Sequence, residues 1–420
     1  MFNLLSPIAN RLSPATGARS NTTLATLYLA VFTASCPVGL FLFFLPLYSQ
    51  ALGASATQIG ELFAVFALVP VLARPLVGRG ADRFGRRPFI LAGLACFVVA
   101  WTLYAASARV GVLFVARVVE GASAALLLIA AYAVLADLVP FEGRGAAVGR
   151  LQSMINLGAF LGGGVGFPLL FFAERAGWGI VAGWRLAFGL YAILTVIMLI
   201  GAWRRIEESG GRVVGQSDSE PTGHADSTRH AALDTRTSFR RLWPLLVICL
   251  GTATTNGVTQ PILTLYLRAH FTDNLVLLLL AFMPAAVVYG VAPAPLGRLS
   301  DRIGRRRVMA TGLALAGVIA AIFPSLPNIL LLGAIWTLEA LFISAAVPAE
   351  GALVADLTGG DRRGQAYGLY SFAVGLGATL GPLLGGWCYD NLGHTSPFYL
   401  NAILLPASAL LVLLLPLDAK

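Results

Sequence analysis

The sequence predicts an all-α integral membrane protein of twelve transmembrane helices arranged as two six-helix repeats. Two observations carry this. Hydrophobic residues make up 57% of the 420-residue chain and charged ones only 12%, with a mean hydropathy of +0.79; soluble domains carry about 25% charged residues. The second is a duplication. Gly78-Arg79-Gly80-Ala81-Asp82-Arg83-Phe84-Gly85-Arg86-Arg87-Pro88 returns as Gly297-Arg298-Leu299-Ser300-Asp301-Arg302-Ile303-Gly304-Arg305-Arg306-Arg307, and 297 minus 78 gives an offset of 219. Both copies are short basic loops between long apolar runs, so the repeated object is a membrane-embedded half.

Runs of about 17–25 apolar residues, enough to cross a hydrocarbon core, fall at 25–48, 58–77, 89–108, 112–136, 151–172 and 185–203. A second six follow at 242–267, 275–295, 308–326, 329–355, 366–388 and 397–416. The domain plan is therefore a tail at 1–24, a first half at 25–206, a linker at 207–241, a second half at 242–416 and a tail at 417–420. The linker is rich in Gly, Ser, Thr, Asp and Arg and reads as flexible. Its His224 and His230 lack the accompanying Cys or carboxylate spacing of a metal site.

With the tails and even-to-odd connections on one side, that face holds most of the 29 basic residues; only Arg109, Arg175, Arg185 and Arg268 lie opposite, and Arg74 and Arg117 fall inside spans. The positive-inside rule then places both termini in the cytoplasm. The net charge of +9 is spread along a membrane face rather than gathered with aromatics, so it gives no nucleic-acid site. No charged leader precedes a cleavable apolar core. Cys36, Cys96, Cys249 and Cys388 fall in four different spans, which implies no disulfide framework.

The same offset aligns Glu120 with Glu339, Asp137 with Asp356, Arg144 with Arg363, and Gly158, Gly162 and Gly166 with Gly377, Gly381 and Gly385. Parallel repeats of this kind place a solute site near the midplane between the halves. In the duplicated loop, Gly78 and Gly85, with Gly297 and Gly304 in the second copy, permit tight turns. Asp82 and Asp301 can accept from helix N-termini, and Arg83, Arg86 and Arg302 supply the inside charge. A purely topological role would explain the arginines but not a carboxylate and two glycines at one spacing in both copies. The loop therefore reads as a conformational latch, with Asp137, Arg144, Asp356 and Arg363 as partners at the cytoplasmic helix ends. The two glycine series recur every four residues, which makes a smooth stripe on each helix. They suit either a sliding interface between the halves or static packing.

The Gly-x-x-x-Asp-Arg-x-Gly-Arg-Arg core at Gly78–Arg87 resembles the loop signature of the major facilitator superfamily, and its second copy sits where that superfamily repeats it. Arg117-Val118-Val119-Glu120-Gly121 resembles the superfamily's fourth-helix Arg-x-x-Gln-Gly motif with Glu in place of Gln. Gly158 to Gly166 is similar to the glycine-rich fifth-helix motif of its antiporters, with Gly163 where those have Pro; Gly377 to Gly386 carries the proline as Pro382. Motif content is closest to the proton-coupled efflux and antiporter families. The resemblance implies that helices one, four, seven and ten line a central cavity.

Charged residues within spans are expensive, on the order of 3 kcal/mol at the bilayer centre. Glu120 and Arg117 lie one turn apart, Glu339 holds the matching level of the tenth span, and Glu350 is nearer the cytoplasm. These four are the proton-coupling candidates, Glu339 first because no basic residue lies within a turn of it; the alternative for Arg117 and Glu120 is a self-neutralising structural pair. Asn156, Asn256, Gln260 and Trp336 are candidate solute contacts, and amides also commonly bond across helices. Helix one carries no acid, which argues against strong cation selectivity. There is no Walker A run and no nucleophile elbow, so no enzymatic activity, cofactor or metal is expected, and the proton gradient would supply the energy. The sequence thus points to a monomeric secondary transporter of a small organic solute in the lipid bilayer of a bacterial inner (plasma) membrane, most simply a proton-coupled exporter. Proton-coupled uptake is the alternative, and a non-transporting sensor or scaffold a further one.

Overall fold

A computed structural model describes residues 14–207, 227–357 and 363–414, and among the described residues all regular structure is helical. The described helices group into two compact units, one within residues 14–54 and 68–207, the other within 55–67, 227–357 and 363–414.

In the first unit the predicted first span is two helices, α1 (Pro14–Ser35) and α2 (Val38–Ala51). Pro37 has no amide hydrogen to continue α1. The joint is closed instead by bonds from the Cys36 amide to the Thr33 carbonyl and from the Leu40 amide to the Pro37 carbonyl, at 3.3 and 2.9 Å. Then come α3 (Ala56–Phe84), whose stretch 56–67 belongs to the second unit, α4 (Arg87–Ala106), α5 (Val110–Leu138), α6 (Phe141–Arg175) and α7 (Gly179–Arg205). Helix α3 runs well past the predicted end at residue 77, so most of the expected loop is helix and Gly78 lies inside it. Only Gly85 turns the chain, with φ 89°, a value that favours glycine. The core here is aromatic. Tyr48 stacks on Trp184 at 4.3 Å, Phe41 lies 5.0 Å from Tyr104, and Trp101, Trp184 and Tyr104 are fully buried.

The second unit contains α8 (Ser227–His270), α9 (Leu275–Val291), α10 (Pro293–Ile303), α11 (Arg305–Ile322), a 3-10 turn at Phe323–Ser325, α12 (Ile329–Leu357), α13 (Arg363–Leu392) and α14 (Ser396–Leu414). Helix α8 begins inside the expected linker: glycine and proline give out after Gly223, and helix formers such as Ala231, Ala232 and Leu233 take over. His224 lies outside the described residues, as does the side chain of His230. Asn274 caps α9, its side-chain oxygen accepting from the amides of Val276 and Leu277 at 2.9 and 3.4 Å. Helices α9 and α10 meet at a 60° bend. Gly297 is helical, whereas Gly304, with φ 108°, makes the turn. The core is aliphatic, built from Leu245, Ile248, Met309, Leu313, Ile343, Leu405 and Ala409.

Among the described residues, ten helical stretches are long and apolar enough to cross a membrane, one of them (Asn21–Phe41) running across the α1–α2 joint, and the bent pair α9–α10 makes an eleventh. Helix α8 covers the remaining predicted span, 242–267. It is less apolar because Thr252, Thr254, Thr255, Asn256, Thr259 and Gln260 occupy its middle.

Candidate functional site

The first buried charge pair lies within α5, against the closely packed α4. Gly93 has no side chain, and a Cβ there would lie 2.8 Å from the Leu127 amide nitrogen. The helices meet tightly enough for the Tyr104 hydroxyl to donate to Glu120 Oε2 at 2.7 Å. Arg117 Nη1 donates to the same oxygen at 2.9 Å, and its guanidinium carbon stands 4.2 Å from the Phe41 ring centroid. The side chains of Arg117 and Glu120 are 2% and 1% exposed. Ion pairing, the phenol and a cation–π contact together compensate charges that would otherwise be costly in this setting.

Glu339 is the aligned residue on α12 and its surroundings are different. It is 9% exposed and has no ion pair or hydrogen bond among the described residues. Tyr289 of α9 lies within its electrostatic reach. One turn earlier on α12, Trp336 packs edge-on against Phe282 at 4.6 Å.

Glu350 belongs to neither pattern. Its Oε2 accepts from Thr252 Oγ1 at 2.6 Å, and the side chains of Cys249 and Tyr370 also hydrogen-bond to it. The carboxyl therefore ties α8, α12 and α13 together inside the aliphatic core, without a cation among the described residues.

Of the solute candidates, Asn256 and Gln260 lie one turn apart on α8 and are exposed, with no hydrogen bond among the described residues. Asn156 is exposed but accepts from Gln152 at 3.3 Å. Asn401 of α14, which no sequence pattern singles out, donates to the Thr255 carbonyl at 3.0 Å and to Thr259 Oγ1 at 3.2 Å. It pins the polar stretch of α8 from the side.

The duplicated loops share two contacts, the Arg–Asp pair and an arginine on the last carbonyls of a neighbouring helix. Arg86 pairs with Asp82 at 3.1 Å and with Asp137 at 3.1 Å, the latter without hydrogen-bond geometry at Nε. Arg305 pairs with Asp301 at 2.9 Å and donates to the Ala352 carbonyl at 3.1 Å. Arg87 reaches the Trp203 carbonyl at the end of α7 at 2.8 Å, and its counterpart Arg306 reaches the carbonyls of Val412 and Leu413 at the end of α14. Arg144 binds the carbonyls of Ala136 and Val139, which close α5. Arg83 lies 5.3 Å from the Phe84 ring, and Arg302 is exposed. The side chains of Asp356 and Arg363 lie outside the described residues.

The glycine stripes make their close backbone contacts within each unit. A Cβ on Gly158 or Gly162 would run into the carbonyl oxygens of Phe32 and Cys36, and one on Gly166 into Leu40. A Cβ on Gly377, Gly381 or Gly385 would meet those of Leu250, Thr254 and Val258. Each stripe seats the fifth helix of its repeat on the first, at backbone contact.

A further contact gathers at the start of α3. Asp390, near the end of α13, accepts from the amides of Ala56 and Thr57 at 3.2 and 2.7 Å and from Thr57 Oγ1 at 2.7 Å. Ser55 and Gln58 cap each other's amides at the same helix start.

Repeated six-helix units with carboxylates buried in their spans define an integral membrane transporter. The chain matches the Major Facilitator Superfamily over residues 27–289 and 245–420, and it belongs to that superfamily. Among curated relatives, Multidrug resistance protein 1 of Bacillus subtilis (strain 168) is 32% identical over 42% of this chain and 46% of its own length. Multidrug resistance protein 2 of the same organism is 23% identical over 86% and 87%. Quinolone resistance protein NorA of Staphylococcus aureus is 29% identical over 45% and 48%, so in the first and third matches the chain spans about half the relative's length. In fold, the chain is similar to a bacterial homolog of the human lysosomal transporter Spinster, with a TM-score of 0.73 at 17% identity over 94% of this chain and 95% of that one. A POT family transporter follows at a TM-score of 0.70, with 13% identity over 93% and 95%.

Proposed function

We propose that this transporter exports a small organic solute across a bacterial plasma membrane in exchange for protons, with Glu339 carrying the proton and both termini in the cytoplasm. The observation that carries the reading is the contrast among three buried carboxylates. Glu120 is balanced by Arg117 and Tyr104, and Glu350 is held by three donors, while Glu339 has no such partner among the described residues. A proton taken up by Glu339 removes the whole local charge, and its release restores it. That change can bias two conformations that bury the residue differently. The exposed amides of Asn256 and Gln260 on α8, with Trp336 on α12, offer hydrogen bonds and an aromatic face to a solute. The multidrug resistance proteins among the relatives support export as the direction.

The test uses reconstituted protein, an imposed pH gradient and fluorescent organic solutes first chosen by their thermal stabilisation of the purified chain. Glu339→Gln is expected to bind solute and exchange it, yet fail to accumulate it against a gradient. Uphill movement with unchanged dependence on the pH gradient would move the proton to Glu120 or Glu350. Accumulation in the opposite sense under the same gradient would make the protein an uptake system.

A further inference from the structure

On the outer surface of the first unit, α4 and α7 leave a groove of roughly 440 Å³ lined by Leu91, Ala92, Ala95, Leu199, Ile200 and Trp203. Every lining side chain is apolar apart from the indole N–H, and the groove lies on spans that cross the bilayer, so its natural filling is an acyl chain. What stands at its end is different in kind. Helix α4 starts there with no side-chain cap, no acid in its first turn and Pro88 within that turn. Arg87 begins the helix, with Nε buried and without a hydrogen-bond partner. Its Nη2 is anchored on the Trp203 carbonyl. Helix α7 ends at the same place with exposed Arg204 and Arg205. Trp203, 63% exposed, sits at the boundary between groove and arginines, where tryptophan favours the headgroup level of a bilayer.

We propose that this groove is a binding site for one anionic glycerophospholipid, an acyl chain lying along Ala92, Ala95 and Leu199 and the phosphate resting between the start of α4 and Arg87, Arg204 and Arg205. Positive-inside topology and a favourable α7 C-terminus explain Arg204 and Arg205 by themselves. They do not explain an uncapped helix start and an apolar groove leading away from it. Helix N-termini favour phosphate, and arginine matches its oxygens with a fork of donors. Arg86 is already balanced by Asp82 and Asp137, and the nearest acid along the chain beyond α7 is Glu207. The site is independent of which solute the transporter moves and of its coupling ion.

The experiment is native mass spectrometry and thermal unfolding of the delipidated full chain in mild detergent, titrated with dioleoyl phosphatidylglycerol, dioleoyl phosphatidylcholine or inorganic phosphate. One phosphatidylglycerol should be retained in preference to phosphatidylcholine and raise the unfolding temperature, while inorganic phosphate does neither. Arg204→Ala and Arg205→Ala should each weaken retention roughly fivefold, as expected for about one surface-charge interaction apiece. Ala95→Phe, which fills the groove from an exposed position without touching the arginines, should weaken it as well. Equal retention of both lipids would overturn the proposal. So would stabilisation by phosphate alone, or wild-type retention by Ala95→Phe and the Arg204→Ala, Arg205→Ala double variant.

Discussion

The Thr252 hydroxyl donates to Glu350 at 2.6 Å and so joins α8 to α12 within the second unit. Thr252 is 4% exposed and Glu350 is equally buried, so neither group can exchange the bond for water. Thr252→Val keeps the shape and deletes the donor. It should destabilise the protein by about 1–3 kcal/mol and lower the unfolding temperature in detergent, and Glu350→Gln combined with it should recover part of that loss. An unchanged unfolding temperature in Thr252→Val would show that Cys249 and Tyr370 satisfy the carboxyl without Thr252.

Arg117 and Glu120 should behave as one unit in stability. Removing one partner of a buried pair costs about 3–5 kcal/mol because it strands the other charge, whereas removing both often costs little. Arg117→Met alone should therefore unfold at a markedly lower temperature than Arg117→Met with Glu120→Gln. Transport by the double variant separates the roles: a wild-type rate would make the pair architectural, and a lost rate with a stable fold would make it functional. Additive losses of stability would show that the 2.9 Å contact is not coupled.

Asp82 is 74% exposed, and surface pairs are worth about 0–1 kcal/mol. Asp82→Asn should thus leave the unfolding temperature within a degree or two of wild type, while Arg86 keeps its contact with Asp137. A latch role predicts slower transport and shifted populations in distance measurements between spin labels on the two units. Normal flux with unchanged distances would reduce the loop to a topological signal.

Asp390 supplies acceptors for two amides at the first turn of α3, a capping interaction worth about 1 kcal/mol. In Asp390→Asn, amide exchange over residues 55–60 should quicken roughly fivefold, with the rest of α3 unaffected. No change in exchange there would mean that the Ser55–Gln58 box holds the helix start unaided.

The bilayer makes the helical plan readable, since apolar runs of fixed length and a duplicated loop leave little freedom in topology. Side-chain partners were less accessible. Glu120 and Arg117 are one turn apart and visible as a pair, but Tyr104 reaches Glu120 from another helix. Asp390 and Thr57 are separated by most of the chain, and nothing in their local patterns links them. Cys249, Tyr370 and Asn401 look like ordinary span residues until α8, α12, α13 and α14 are assembled. Gly78 was expected to turn the chain because it opens a polar loop. Helix α3 instead continues through it, since arginine and aspartate on an exposed helix end are well solvated and only Gly85 needs a positive φ.

The six stripe glycines invert a common rule of protein engineering. Alanine normally stabilises a helix by about 1 kcal/mol relative to glycine, so helical glycines are attractive targets when a membrane protein must be toughened for purification. Here the added methyl at Gly158, Gly162, Gly377, Gly381 or Gly385 would have to displace a neighbouring main chain, and at Gly166 it would crowd Leu40 and the Tyr191 hydroxyl. A stabilising campaign would do better at Gly189 or Gly201 on α7, where the same methyl meets nothing within 4 Å.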